Sequence, residues 1–329
     1  MIHILQTPSG GYRDITQYLV ARGAKVTVLG GEDQAAVRFH GKSAILRAML
    51  SPHLLKARGL WTRHDTVLAI GWQALSLQML IKLGVLPRPA KFLVLACFVH
   101  NARLRKIINR LWRLVRGPGL GFVTFSQGES RNLIEQCGIA PENVHFHLWR
   151  QDLDGRAQDD ARTDDGSIFA GGYSNRDYEL LQVAAADLPA PLVIVASMRN
   201  GLAQPASERT KLYLDLSEPE FEALLARCRV VAMPLRSQGE ACGQSVLLRV
   251  LRNGKPMIAT RHESIEAYLG RDYPGFVPPG DVEAMRAALS RALTDAAWRA
   301  QLSTSIEAAA RQLDKQGEPG ADIERFLLA

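Results

Sequence analysis

The chain has 329 residues, 40 Lys+Arg against 33 Asp+Glu for a net charge of +7, and 47% hydrophobic against 22% charged residues. This globular balance excludes disordered, collagen-like and coiled-coil chains, and at roughly 150 residues per domain the length predicts two lobes. Four scattered cysteines, Cys97, Cys137, Cys228 and Cys242, have no C-x-x-C spacing, which argues against a zinc site or a disulfide framework and for reduced thiols.

Met1-Ile2-His3-Ile4-Leu5 reads as a strand rather than a secretory leader, because no basic flank or long apolar core accompanies it. A cytoplasmic protein is therefore expected. The strand runs into Gly10-Gly11, ahead of a helix near residues 13–22. A glycine pair at such a turn serves either phosphate contact or a plain tight turn. Strands follow at about 25–29 and 66–70, then a helix at 74–83 and a strand at 92–99. The most apolar long window, Val67 to Leu86, is broken by Gln73, Gln78 and Lys82 and does not read as a membrane span.

Residues 102–116 alternate Leu104, Ile107, Ile108, Leu111, Trp112, Leu114 and Val115 with Arg103, Arg105, Lys106, Arg110, Arg113 and Arg116. This is a basic amphipathic helix of the kind that lies on an anionic bilayer. The six basic residues and Trp112 are its expected membrane contacts; the plainer reading is a helix docked on its own sheet. No acidic residue occurs between Asp65 and Glu129. Residues 1–150 carry a net +13 and the remainder −6, which together give the +7. Nucleic acid is not expected as a partner, since the cations sit beside a long apolar face without a recognisable binding module.

A strand at 121–125, a helix at 130–137 and a strand at 144–146 complete a first doubly wound lobe. The Asp-rich stretch 151–166 reads as a linker. Strands at 167–170, 192–196, 211–214, 230–233 and 257–259 then alternate with helices near 176–186, 219–228 and 244–252. Helices at 282–293, 296–312 and 321–328 close the chain, the last expected to cross back to the first lobe. The fold class is α/β, with two Rossmann-like doubly wound lobes.

Two stretches of the second lobe carry a resemblance. Phe169-Ala170-Gly171-Gly172-Tyr173-Ser174-Asn175-Arg176 follows its first strand. Gly239-Glu240-Ala241-Cys242-Gly243-Gln244-Ser245 leads into a helix ending at Gly254-Lys255-Pro256, and a strand then ends at Thr260. With Gly275 to Met285, this order resembles the GT-B glycosyltransferases, most of all the large retaining family-four group. The resemblance implies two lobes facing a central cleft and sugar transfer from a nucleoside-diphosphate sugar with retention, without cofactor or metal.

It also implies site residues. His100, after the strand ending Phe98-Val99, matches a histidine near the reaction centre. Glu240 is the candidate for contact with the sugar hydroxyls. Donor contacts fall to Gly10, Gly11, Gly172, Arg176, Gly243, Gln244, Ser245 and Arg249. At 249 the sequence departs from the family, whose second glutamate lies six residues before the Lys of Gly-Lys-Pro; a guanidinium cannot accept hydrogen bonds from a ribose. The expected function is transfer to a lipid-linked or cell-envelope glycan acceptor at the inner membrane face. The alternative is a non-catalytic subunit that scaffolds or regulates a glycosyltransferase; a nucleotide-sugar epimerase is less favoured.

Overall fold

Short apolar runs punctuated by glycine and by helix caps build two separate parallel sheets. The computed structural model describes residues 1–6, 12–29, 52–95, 102–150, 164–202, 207–236 and 241–329. In the first unit, strands β1 (Ile2–Gln6), β2 (Lys25–Val28), β3 (Thr66–Ile70), β4 (Lys91–Leu95), β5 (Leu120–Thr124) and β6 (Val144–Phe146) pair in the order β2-β1-β3-β4-β5-β6, all parallel. β3, β4 and β5 are almost wholly buried, which is why they read as unbroken apolar runs rather than alternating ones. The helices are α1 (Arg13–Ala21), α2 (Gln73–Lys82), α3 (Ala102–Val115) and α4 (Gln127–Cys137). Ser126 caps α4 by accepting from the Glu129 amide at 3.1 Å.

The second unit has β7 (Ile168–Gly171), β8 (Leu192–Ala196), β9 (Thr210–Leu214), β10 (Val230–Met233), β11 (Met257–Thr260) and β12 (Phe276–Val277), paired in the order β12-β11-β10-β7-β8-β9. Its helices are α5 (Tyr178–Ala185), α6 (Glu218–Arg227), α7 (Gln244–Asn253), α8 (Glu263–Leu269), α9 (Val282–Thr294) and α10 (Ala296–Asp314). In both sheets the order reverses at an inner strand, the doubly wound arrangement whose ligands bind at the carboxyl ends of the strands. Two elements, α8 and β12, have no counterpart in the sequence reading. The predicted strand 92–99 is seen over Lys91–Leu95; its remaining residues lie outside the described ones, as do positions 151–163 of the linker.

Chain order and unit membership differ at the C-terminus. The units comprise Met1–Trp149 with Gly317–Ala329, and Arg150–Gln316. The last helix, α11 (Ala321–Leu328), buries Ile323 and Leu327 and belongs to the first unit. One carboxylate clasps it there. Asp322 Oδ2 lies 2.9 Å from His145 Nε2 and 2.8 Å from His147 Nδ1. Phe326 stacks on His145 with ring centroids 5.1 Å apart, and the Tyr18 hydroxyl donates to Glu324 at 2.8 Å.

Burial opposes ionisation of Asp322, yet its two imidazole hydrogen bonds outweigh that cost and hold the carboxyl well below its ordinary range. Because the folded value is depressed, the stabilisation is present above the unfolded value near pH 4 and is lost as the pH falls through the acid range. Asp322→Asn is expected to cost the first unit about 2 kcal/mol, in line with hydrogen bonds to a charged group. Thermal melts at neutral pH and at about pH 3 check this. The gap between wild type and variant is expected to narrow in acid.

Candidate functional site

At the carboxyl edge of the second sheet, β7 runs out into two glycines whose conformation the surroundings dictate. A Cβ on Gly171 would stand within 3 Å of the Phe221 ring, and one on Gly172, at φ 123°, within 3 Å of the Arg176 guanidinium. Arg176 is buried and turned back on its own loop, donating from Nε to Gly171 O at 3.0 Å and from Nη1 to Ser174 O at 2.7 Å. It braces the turn. The Tyr178 hydroxyl holds the same turn from below, donating to Gly172 O at 2.7 Å.

Opposite this turn, α7 starts at Gly243, whose left-handed φ of 82° and close neighbours Ile265 and Met233 leave no room for a side chain. The first-turn amides of any α-helix have no acceptor within the helix, and the helix dipole adds to them a partial positive charge. Backbone N–H groups so arranged make an anion site suited to a phosphate. Ser245 is exposed beside it, while Gln244 is buried.

Three loops of this edge meet at Cys242. Asn175 Nδ2 donates to its sulfur at 3.1 Å, and His262 Nε2 lies 3.4 Å from the same atom. His262 Nδ1 accepts from the Ser264 amide at 3.1 Å, which places the proton of a neutral ring on Nε2, toward the sulfur. Thr260 Oγ1, accepting from the Leu235 amide at 3.0 Å, ties β11 to the loop after β10. Burial pushes two other thiols up, Cys137 to about 11 and Cys228 to about 12.

Arg249 lies on the second turn of α7 and pairs with carboxylates of α6. It contacts Glu218, sits 3.5 Å from Glu222 Oε1 through Nη1, and stacks 4.7 Å over the Phe221 ring. Phe221 is the ring that fills the space beside Gly171, so Arg249, Phe221 and the glycine turn form one packed group. The sequence reading anticipated the departure at 249 but not the pairing with Glu218 and Glu222. Gly10, Gly11, His100 and Glu240 lie outside the described residues.

In the first unit, Arg103, Lys106, Arg110, Arg113 and Arg116 of the basic helix segment are exposed and Arg105 is half-buried. Trp112 departs from its expected place on the membrane side. It is only 2% exposed and meets Phe122 edge-to-face at 4.9 Å, because its position shares the helix face of Ile108 and Val115, which cover the sheet. Among the described residues no helix is long and apolar enough to cross a membrane, and no group of three metal-ligating side chains converges.

Known proteins resemble this chain in one segment of sequence and in the whole fold. Residues 175–295 match the family model described as glycosyl transferases group 1, a stretch running from the Asn175 turn through α7 to the cap of α10. The fold is that of a GT-B glycosyltransferase. An α,α-trehalose-phosphate synthase (UDP-forming) from Burkholderia vietnamiensis superposes with a TM-score of 0.70 at 15% identity, covering 100% of both chains. A trehalose-6-phosphate structure from E. coli bound with UDP-2-fluoro glucose gives 0.71 at 11% identity, covering 100% of this chain and 99% of that one. A glycosyltransferase from Rickettsia africae gives 0.65 at 16% identity, with 99% and 97% covered. No curated protein sequence matches the chain.

The matched segment begins three residues after Gly172 and contains the α7 N-terminus. The sequence signals that found the turn after β7 and this N-terminus were the glycines at 171, 172 and 243. Asn175, His262 and the α6 carboxylates gave none, since each acts through a partner distant in sequence.

Proposed function

We propose that this GT-B chain transfers a hexosyl group from a nucleoside-diphosphate sugar to a lipid-linked or cell-envelope glycan acceptor at the cytosolic face of the membrane, with retention. The observation that carries the donor half is the pairing of the α7 N-terminus with the Gly171-Gly172 turn on one sheet edge. Departure of the sugar leaves growing negative charge on a diphosphate. Preorganised amides and a helix dipole stabilise such charge without reorganising. The reading requires no metal and no cofactor, and it assigns the reaction centre to His100 and Glu240.

With Arg176 committed to loop carbonyls, the phosphate charge falls to the α7 amides of Gly243, Gln244 and Ser245 rather than to a side-chain cation. Gly10 and Gly11 remain the proposed contacts from the first unit. The membrane-borne acceptor rests on the basic face of α3. The E. coli neighbour was solved with UDP-2-fluoro glucose, which supports a nucleotide-sugar donor here. A soluble sugar phosphate is the competing acceptor, since the neighbouring enzymes are trehalose-phosphate synthases.

The alternative is a non-catalytic subunit, favoured by one observation: Arg249 stands where the family carries a carboxylate and is held by Glu218 and Glu222. A thermal-shift titration with UDP, GDP, ADP, TDP and CMP, and with their sugars, separates the two. Saturable stabilisation by one nucleotide of about 2.7 kcal/mol at a hundredfold excess over Kd is the expected result. Radiolabelled donor then reports the acceptor, through counts in the lipid phase of a membrane extract or on a soluble hexose phosphate. No shift with any nucleotide overturns the enzyme reading in favour of the subunit.

A further inference from the structure

We propose that the first unit docks on an anionic lipid bilayer through a face built from two elements, the outer side of α3 and the chain just after α2, with Ile107, Leu114 and Leu83 entering the headgroup layer. This deepens the membrane-borne acceptor reading and rests on it only for the identity of the acceptor.

The helix geometry fixes which side of α3 is outward. At about 100° per residue, Ile108, Trp112 and Val115 define the buried direction. Asn109 lies to one side, where its amide meets Asn132 of α4 at 2.9 Å. Leu104 and Leu111 lie on the other side, toward α2, whose Gln78 Nε2 donates to Val115 O at 3.0 Å. Ile107 and Leu114 come next around the helix and are 54% and 67% exposed. Beyond them Lys106, Arg110 and Arg113 form the outermost ridge.

The second element meets this ridge at its C-terminal end. Lys82 Nζ donates to Arg116 O at 3.3 Å, which sets the end of α2 beside the end of α3. Leu83, 73% exposed, and Val85 follow directly. Aliphatic side chains from α3 and from the chain just after α2 thus stand in solvent beside the cations of the ridge, in a stretch where the sequence has no carboxylate between Asp65 and Glu129.

A bilayer satisfies both chemistries at once, because phosphates meet the ridge and acyl chains lie just beneath them. A nucleic acid answers only the cations. A protein partner would need a carboxylate-rich groove around an apolar floor, and nothing in this face, whose sequence carries charges of one sign, selects such a groove.

The test is co-sedimentation of the full chain with vesicles of phosphatidylglycerol in phosphatidylcholine, and with pure phosphatidylcholine, at low and at high salt. Wild type is expected to sediment with the anionic vesicles and to keep part of its binding at high salt. Lys106→Gln/Arg110→Gln/Arg113→Gln is expected to bind about a hundredfold more weakly, since each basic residue near the surface contributes about fivefold. Ile107→Ser/Leu114→Ser is expected to lose the salt-resistant part by about tenfold or more, with all charges kept.

Wild type left in the supernatant with anionic vesicles overturns the proposal. So does a serine pair equal to wild type at both salts, which would mean adsorption by charge alone. All five substitutions are at exposed or edge positions, and unchanged melting temperatures confirm the fold. The nucleotide titration on the same proteins keeps the two readings apart: vesicle binding without a nucleotide shift removes the enzyme and leaves the docking, and the reverse removes the docking alone.

Discussion

Trp112→Ala is expected to destabilise the first unit by about 3–5 kcal/mol, the range for emptying a large aromatic site in a packed core. The indole is 2% exposed, lies edge-to-face on Phe122 and belongs to the same cluster as Ile108, Val115 and Leu133. Truncation leaves a cavity between α3 and β5 that neighbouring strands, held by parallel ladders, are poorly placed to collapse into. Denaturant melts of the first-unit transition measure the loss. The same variant discriminates two roles for the residue: if Trp112 were a membrane anchor, vesicle binding would fall while stability held. The structure dictates the opposite outcome, with stability falling and binding per folded molecule unchanged.

That contrast shows where sequence stopped being informative. Seven apolar residues between 102 and 116 span more of the helix circumference than one buried face needs, so periodicity identifies the helix but not which two of the seven stay in water. Ile107 and Leu114 differ from Ile108 and Val115 by one position each. Only the docking against α2 and α4 decides. The parallel strands were easier, because burial on both faces leaves a continuous apolar run such as Leu192–Ala196 that no exposed helix shows.

Elsewhere the signal was absent rather than ambiguous. α8 has seven residues and is capped by His262, whose ring nitrogen accepts from Ser264; histidine is outside the usual capping set of Ser, Thr, Asp and Asn. β12 has two residues, too few for any alternation. Arg176 reads as a free cation beside a glycine turn, but the left-handed residues Gly172 and Asn175 curl the loop so that its carbonyls face the guanidinium. The guanidinium drawn from sequence spacing as a phosphate contact is therefore committed to its own loop.

Arg249→Glu is expected to cost the second unit about 3 kcal/mol, and Glu218→Arg in the same chain to return about 1 kcal/mol of it. Arg249 is 15% exposed at its side chain and is shared between Glu218 and Glu222, while Arg252 Nη1 approaches the same Glu222 oxygen at 3.5 Å. Replacing it by glutamate would set three carboxylates against one another over the Phe221 ring, with one remaining arginine. Repulsion and loss of the stacking contact act in the same direction. The double variant restores one opposite-charge pair with the order of signs reversed, so a coupling of about 1 kcal/mol or more in the cycle is the expected signature of a direct contact. Strict additivity of the two single effects would show that Arg249 and Glu218 do not share their charge in solution. The coupling also bears on donor recognition. Where the resemblance implies a carboxylate at this helix position, the present chain has a guanidinium paired with α6. If Arg249→Glu folds and shows no gain in nucleotide stabilisation, the departure at 249 is an adaptation of the α6–α7 packing rather than a missing half of a donor site.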